Sequence, residues 1–171
     1  MRSLSYRSPK TEVRQSPIHG KGMFAIADIK NGEVVCVKGG YIVDGTTRRE
    51  INSRLGPVEI QIDDDLFIAP FSAEEREGGM LYLNHSCDAS AGLRGDITFI
   101  AMRDIATGEE VTHDWCMTDD DDYELPCYCG SAKCRGMLTG KDWGRKELQQ
   151  QYRGYFSPYL ARKIGATVCF N

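Results

Sequence analysis

From residue 12 onward, apolar positions fall in short runs broken by glycine, the pattern of strands rather than of long helices. Residues 12–14, 23–27 and 34–38 have strand length. Val34-Val35-Cys36-Val37 is an unbroken apolar run of the kind that is buried on both faces. Gly20, Gly22, Gly32, Gly39 and Gly40 punctuate these runs, and residues 39–43 read as a further strand. Residues 46–55 are polar and read as a helical turn or a loop. Residues 59–62 and 66–69 flank three consecutive aspartates and predict a hairpin. Residues 97–101 (ITFIA) predict a strand, 104–110 a turn around Thr107-Gly108, and 111–115 another short strand. The period changes only near the end, where Leu148, Tyr152, Tyr155, Phe156, Tyr159 and Leu160 recur at helical spacing, a series that reads as packing. Ser157-Pro158 interrupts it as an N-cap followed by proline in the first turn, predicting a second short helix to about Ile164, closed by Gly165. Residues 1–11 are polar and read as a loosely ordered arm. The expected fold class is mainly β, a β-rich α+β body with C-terminal helices.

Composition narrows the function classes. The 171 residues carry 21 Lys plus Arg against 25 Asp plus Glu, a net charge of −4, which argues against a broad basic surface for nucleic acid. No apolar run has the length of a membrane helix, and the N-terminus lacks an apolar leader segment. These features predict an intracellular, not secreted, protein with no membrane or direct nucleic-acid partner. Seven cysteines, an odd number, cannot all pair internally. In an intracellular chain they are reduced by default, and a tight cluster favours metal over disulfide.

Three cysteines do cluster, in Cys127-Tyr128-Cys129-Gly130-Ser131-Ala132-Lys133-Cys134, a C-x-C-x4-C loop. A structural zinc takes four tetrahedral ligands, so a partner must come from elsewhere. Cys87, in Asn84-His85-Ser86-Cys87, is the best candidate, and the proposed zinc set is Cys87, Cys127, Cys129 and Cys134. Cys36, Cys116 and Cys169 are left as reduced core thiols. His19-Gly20-Lys21-Gly22-Met23-Phe24-Ala25 has two glycines around one residue, which allows a close backbone approach to a ligand and equally suits a plain tight turn. Neither of the longer phosphate-loop signatures occurs. Gly108 to Trp115 (GEEVTHDW) is a turn leading into a strand.

These segments, in this order, resemble the SET-domain protein lysine methyltransferases. His19 to Ala25 is similar to the family's N-terminal cofactor loop, Gly39-Gly40-Tyr41-Ile42 is a loose match to its G-E-x-I strand, and Asn84-His85-Ser86-Cys87 is its N-H-S-C. Gly108 to Trp115 is similar to G-E-E-L-x-x-D-Y, and Cys127 to Gly136 to the post-SET element, with one residue fewer before Cys134. The resemblance covers residues 12–138 and implies a pseudoknotted SET fold of short sheets with a zinc-bound post-SET loop. It implies transfer of a methyl group from S-adenosylmethionine to a lysine amine in a protein substrate, histone-type or other. Carried over position by position, Gly20, Lys21, Gly22, Met23 and Phe24 would contact the cofactor mostly through backbone. Asn84 and His85 would lie against its adenosine and amino-acid ends, and Leu138 would cover the adenine.

The departures lie at the transfer site. Trp115 stands where the family has a tyrosine, and tryptophan offers one N–H donor but no phenolic oxygen. Either Trp115 packs the site without that polar contact, or Tyr82 or Tyr123 supplies it, or turnover is low and the chain is a cofactor- or peptide-binding module. His113 falls where the family places the aromatic residue that influences the degree of methylation. The catalytic set is therefore Tyr82, His113, Trp115 and Tyr123, with Trp115 also against the cofactor. Residues 119–122, four aspartates, read as a solvated loop or as an acidic rim for a basic peptide. The expected organisation is an arm at 1–11, the SET domain at 12–118, the acidic loop and post-SET element at 119–138, and a helical extension at 139–171.

Overall fold

The structure, a computed structural model, describes residues 4–168. Its largest sheet is built from β1 (Tyr6–Arg7), β2 (Thr11–Gln15), β3 (Lys21–Ala25) and β4 (Val34–Val37) of the N-terminal half. A smaller sheet is built from β5 (Tyr41–Asp44), β6 (Ile60–Asp63) and β7 (Leu66–Ala69), with helix α1 (Gly45–Leu55) between β5 and β6 and helix α2 (Ala73–Gly79) after β7. Then β8 (Asn84–His85), β9 (Ala91–Arg94), β10 (Thr98–Ala101) and β11 (Glu110–His113) return to the large sheet. Strands β12 (Glu124–Pro126) and β13 (Met137–Thr139) form a separate ribbon around the cysteine loop, and helices α3 (Lys146–Gln151) and α4 (Pro158–Val168) end the described chain. The large sheet runs β1-β4-β10-β9-β11-β3-β2, and the small one β5-β7-β6.

One crossing organises the large sheet. β11 pairs in parallel with β8 (Thr112 with Asn84, His113 with His85) and also with the start of β9 (His113 with Ala91). Both limbs of the loop 84–91 are therefore bonded to a strand that comes some 20 residues later. Ser86 N donates to His113 O and Ser90 N to Thr112 O, closing the loop on that strand. This is the knot-like crossing expected of the fold, and it places Asn84-His85 directly beside His113.

The main core runs through Met23, Val35, Leu93, Phe99 and Val111, all fully or almost fully buried. The C-terminal helices belong to that same core. Leu148, Tyr152, Phe156, Tyr159 and Leu160 are buried in it, which confirms the packing role of the aromatic series. A second cluster, Val43, Ile51, Val58, Phe67 and Ala69, seats α1 on the small sheet.

Several local expectations change. The polar stretch 46–55 is a full helix: Asp44 caps it by accepting from Thr47 N, and Gly56 ends it. Apart from Gly45, its one buried residue is Ile51, so there is too little apolar periodicity to announce it. Strand 111–115 stops at His113, because the Asp114 carboxylate accepts from Cys116 N and starts a 3-10 turn at Trp115–Met117. Helix α4 runs through Gly165 to Val168 instead of ending there.

The segment expected as a free arm is docked, as far as it is described. Tyr6 and Arg7 pair with Val37 and Cys36, and buried Ser5 donates to Gly79 O and accepts from Gly39 N. Residues 1–3 and Cys169 lie outside the described residues. Cys36 and Cys116 are buried free thiols, as expected, with burial raising both well above the ordinary range.

Docking of the N-terminus depends on a missing side chain. A Cβ at Gly39 would overlap the Leu4 carbonyl oxygen. Gly39→Ala should therefore cost about 1–3 kcal/mol, as overpacking does, and free the N-terminal segment. Limited proteolysis should then cut before residue 8 faster than in the parent; an unchanged cutting pattern would contradict the docking.

Candidate active site and thiol cluster

Asn84 is the organiser of the first wall. Its Nδ2 lies 3.1 Å from His19 O, 3.2 Å from Lys21 O and 2.8 Å from Glu110 Oε1, so one amide holds both sides of the turn at Gly20. Gly20 sits at φ 48°, in the left-handed region that glycine adopts at no steric cost. At Gly22 a Cβ would overlap the Glu110 carboxylate, which also accepts from Ser16 Oγ at 2.8 Å. The two glycines thus serve different ends, one the bend and the other room for the carboxylate behind it.

This turn opens on a cavity of about 1060 Å³. His19, Gly20 and Lys21 line one end with Tyr82, Leu83 and Asn84. His113, Trp115, Tyr123 and Leu125 line another part, and Lys38, Val58, Glu59 and Gln61 come from the small-sheet side. All four residues of the expected catalytic set, Tyr82, His113, Trp115 and Tyr123, face this one space. Gly20, Lys21, Asn84 and Trp115 of the expected cofactor set face it as well. The others do not: Gly22 lies behind the turn, Met23 is fully buried in the core, and Phe24 is buried under the Arg14 guanidinium. Leu138 packs with the cysteines. The contacts expected of Gly22, Met23 and Phe24 run mostly through backbone, which the burial of the Met23 and Phe24 side chains leaves open.

Tyr82 has φ 58°, the one non-glycine among the described residues in the left-handed region. Such a residue persists only where its surroundings hold it. Here Met23 N donates to its carbonyl and its hydroxyl donates to Glu77 Oε2 at 2.9 Å. The Trp115 ring stands edge-on between His85 (5.4 Å) and Tyr123 (6.4 Å). His113 is buried against Phe99 (4.9 Å), and burial lowers its pKa to about 4, so it is neutral at pH 7.

His85 turns away from the cavity. Its Nδ1 accepts from Trp115 N at 3.4 Å, and burial lowers its pKa to about 4. A neutral imidazole that accepts at Nδ1 carries its proton on Nε2. Nε2 lies 3.3 Å from Cys87 Sγ, so His85 donates to that sulfur.

Cys87 belongs to a compact thiol cluster. The donor atoms of His85, Cys87, Cys127 and Cys129 all lie within 4.8 Å of one another. The Cys127 and Cys129 thiols each interact with that of Cys134, which is half-buried at the rim. Cys87 and Cys127 sulfurs are 3.8 Å apart. That equals the edge of a tetrahedron built on Zn–S bonds of about 2.3 Å, roughly 3.8 Å. Burial pushes the Cys129 thiol up, but the N–H groups of Cys87 and Ser131 and the neighbouring thiols outweigh it and hold it at about 7. The donor set fits a thiolate-bound metal.

The cluster is fastened to the cavity by a buried ion network. Arg135, one residue after Cys134, forms a two-pronged bond to Asp114 (2.6 and 3.0 Å) and bonds Asp142 (3.0 Å), while its backbone N donates to Cys87 Sγ. Asp114 is fully buried, yet against the cost of burial the guanidinium keeps its carboxyl below the usual range.

The acidic run is mostly not a rim. Asp120 takes Lys141, Lys163 and Trp143 Nε1, and Asp121 takes Arg48, which also pairs with Glu59. These are ties between α1, α4 and the loop. Nothing in an aspartate tetrapeptide distinguishes this from a solvated loop, because the two lysines and the arginine that neutralise it are 21 to 73 residues away. Lys38, Glu59 and Asp119 are cavity residues that the motifs did not mark. Buried Lys38 donates to Val58 O and Gly79 O, and burial lowers its pKa to about 8.

A family model for the SET domain matches residues 20–116. Histone-lysine N-methyltransferase trithorax of Drosophila virilis is 33% identical over 155 residues, 80% of this chain and 4% of that protein. Histone-lysine N-methyltransferase TRX1 of Oryza sativa subsp. japonica is 36% identical over 155 residues, 78% of this chain and 15% of that protein. The chain thus spans a small part of these relatives' length. The methyltransferase domain of human histone-lysine N-methyltransferase SETMAR superposes with a TM-score of 0.56 at 22% identity, over 75% of this chain and 57% of that one. KRYPTONITE in complex with mCHG DNA and SAH superposes with a TM-score of 0.56 at 23% identity, over 74% of this chain and 28% of that one. At these identities the likeness is one of fold.

Arg135→Ala should destabilise the protein by about 3–5 kcal/mol, since it leaves the Asp114 charge buried without a partner. Chemical denaturation reads this directly, and a loss under 1 kcal/mol would show that the network does not hold the loop.

Proposed function

Because the chain is a member of the SET-domain family, we propose that it transfers the methyl group of S-adenosylmethionine to the side-chain amine of a lysine in a protein. The observation that carries this reading is convergence. Residues from three segments far apart in sequence, His19 to Lys21, Tyr82 to Asn84, and His113 with Trp115, line one cavity, and these segments carry the motif resemblance to the family. The bound cofactor supplies an electrophilic methyl on a sulfonium, and the work left to the protein is orientation and control of a proton.

The residues suit that work. The Gly20-Lys21 backbone and Asn84, whose side chain rigidifies the turn, would hold the cofactor, with His85 acting through its backbone and its bond to Cys87. Trp115 and Tyr123 would wall the target lysine, whose amine must be neutral to attack and so must lose a proton that it normally keeps to a pKa of about 10.4. A low-dielectric cavity lowers that value. The named relatives are histone-lysine enzymes, so core histones are the first substrate to try. The net charge of −4 suits a basic protein partner, and the DNA held by KRYPTONITE is a property of that complex. Reduced buried thiols suit an intracellular setting.

We assign zinc to Cys87, Cys127, Cys129 and Cys134, with His85 as hydrogen-bond donor to Cys87. His85, and not Cys134, completes the tight four-donor group with Cys87, Cys127 and Cys129, so the two compete for the fourth position; the Trp115 N–H donated to His85 Nδ1, which puts the ring proton on the nitrogen facing Cys87, favours Cys134. The zinc would be structural. Zinc content by mass spectrometry should be about one per chain, fall in Cys129→Ser and Cys134→Ser, and persist in His85→Ala. Loss in His85→Ala with retention in Cys134→Ser would reverse the ligand assignment.

The activity is tested by calorimetry with S-adenosylmethionine followed by transfer of a labelled methyl to core histones. Binding with lysine methylation supports the reading, and binding with no transfer to any basic protein refutes it. The low-turnover alternative rests on Trp115, which lacks an acceptor oxygen. Under it Trp115→Tyr raises the rate by tenfold or more; if Trp115 is compatible with chemistry, the rate changes by less than threefold.

A further inference from the structure

Within the run 119–122, Asp120 and Asp121 are neutralised by lysine or arginine, and exposed Asp122 faces solvent as well as the cavity. Asp119 differs. It is half-buried, lines the cavity, and has no cationic partner among the described residues. Its N–H donates to Trp115 O at 2.9 Å, which places it one turn beyond Trp115. One carboxylate oxygen accepts from Thr118 Oγ1 (2.9 Å) and the other from Tyr123 Oη (3.1 Å). A carboxylate withdrawn from water without a cation is costly, and one that lines a cleft marks a candidate functional group. The wall around it is aromatic, Trp115 and Tyr123, a surface that also favours an ammonium group.

We propose that Asp119, with Tyr123 hydrogen-bonded to it, receives the ammonium of the incoming lysine and accepts its proton. This rests on the reading of the site as a lysine methyltransferase. The step balances simply: an N–H bond of the ammonium breaks, its electron pair stays on nitrogen as the nucleophile, and the proton forms an O–H bond on Asp119. The carboxyl returns that proton to solvent once the product has left. Burial pushes the Asp119 carboxyl up to about 6, with Asp121 and Glu59 adding to the rise and the Thr118 and Tyr123 hydroxyls opposing it. The other charged or titratable groups on this side are His113, neutral at pH 7, Arg48, which is taken by Glu59 and Asp121, Lys38, whose ammonium donates to Val58 O and Gly79 O, and Tyr159, whose hydroxyl donates to Thr118 O. A carboxyl with a raised pKa is a better proton acceptor than an ordinary aspartate and is still ionised at pH 7.

Single-turnover transfer to core histones across pH 5–10 tests the proposal. The wild type should lose rate below about pH 6, as Asp119 becomes protonated. Asp119→Asn should keep its circular dichroism and its S-adenosylmethionine affinity within about threefold. Its rate at pH 7 should fall by roughly 10²–10⁴-fold. That rate should then climb with pH, because only the spontaneously formed free amine reacts. Tyr123→Phe should keep the acid limb and move its midpoint. Wild-type rate and pH profile in Asp119→Asn would overturn the assignment. A second measurement is independent of turnover: n-butylammonium should shift the Trp115 indole resonance in the wild type and not in Asp119→Asn. Equal shifts in both proteins would overturn the ammonium site. If the wild type methylates nothing but takes up n-butylammonium through Asp119, the activity reading fails and the ammonium site stands.

Discussion

The site depends on one buried contact, the guanidinium of Arg135 set between Asp114 and Asp142. Arg135 follows the last cysteine of the post-SET loop, Asp114 ends the strand that crosses the loop 84–91, and Asp142 opens the C-terminal region. A fully buried carboxylate is tolerable only with a well-aligned cation. Satisfying Asp114 therefore forces the cysteine loop onto the strand end that carries Trp115. The same arginine donates its backbone N–H to Cys87, so thiol cluster and ion network share a hinge.

From that contact the cavity follows. With β11 held, His113 and Trp115 are aimed at the turn that Asn84 organises, and Asn84 reaches that turn only because β8 lies in register with β11. His85 then fills the narrow space between the two halves. Its ring accepts from Trp115 on one side and faces Cys87 on the other, so the aromatic wall and the thiol cluster are joined through one neutral imidazole. A metal on the cysteines would stiffen the cavity wall without touching the chemistry.

The acidic run shows how tertiary context changes a charge's meaning. Asp120 and Asp121 are structural because Lys141, Lys163 and Arg48 fold back on them, which draws α1 and α4 towards the cavity. Asp119, beside them, finds two hydroxyls and, among the described residues, no cation. Identical residues thus serve as fasteners and as a receptor, separated by a single step along the chain.

The residue order alone determined the β-rich class and the family, and it marked residues that line one cavity. Short apolar runs between glycines set strand lengths, and Asn84-His85-Ser86-Cys87 with the cysteine loop marked segments that do converge. What escaped it depended on distant partners. Helix α1 has almost no apolar face and is held by its caps and by Ile51. The N-terminal segment looked free because the groups that dock it, Val37, Gly39 and Gly79, are remote in sequence. A strand expected to reach Trp115 is cut at His113 by the cap of Asp114. Met23 and Phe24, neighbours on one strand, are both buried because both faces of that strand are covered, Met23 by the main core and Phe24 by Arg14. Local spacing prescribes which residues travel together. Which of them meet water, metal or substrate is decided only when buried charge must find its counter-charge across the fold.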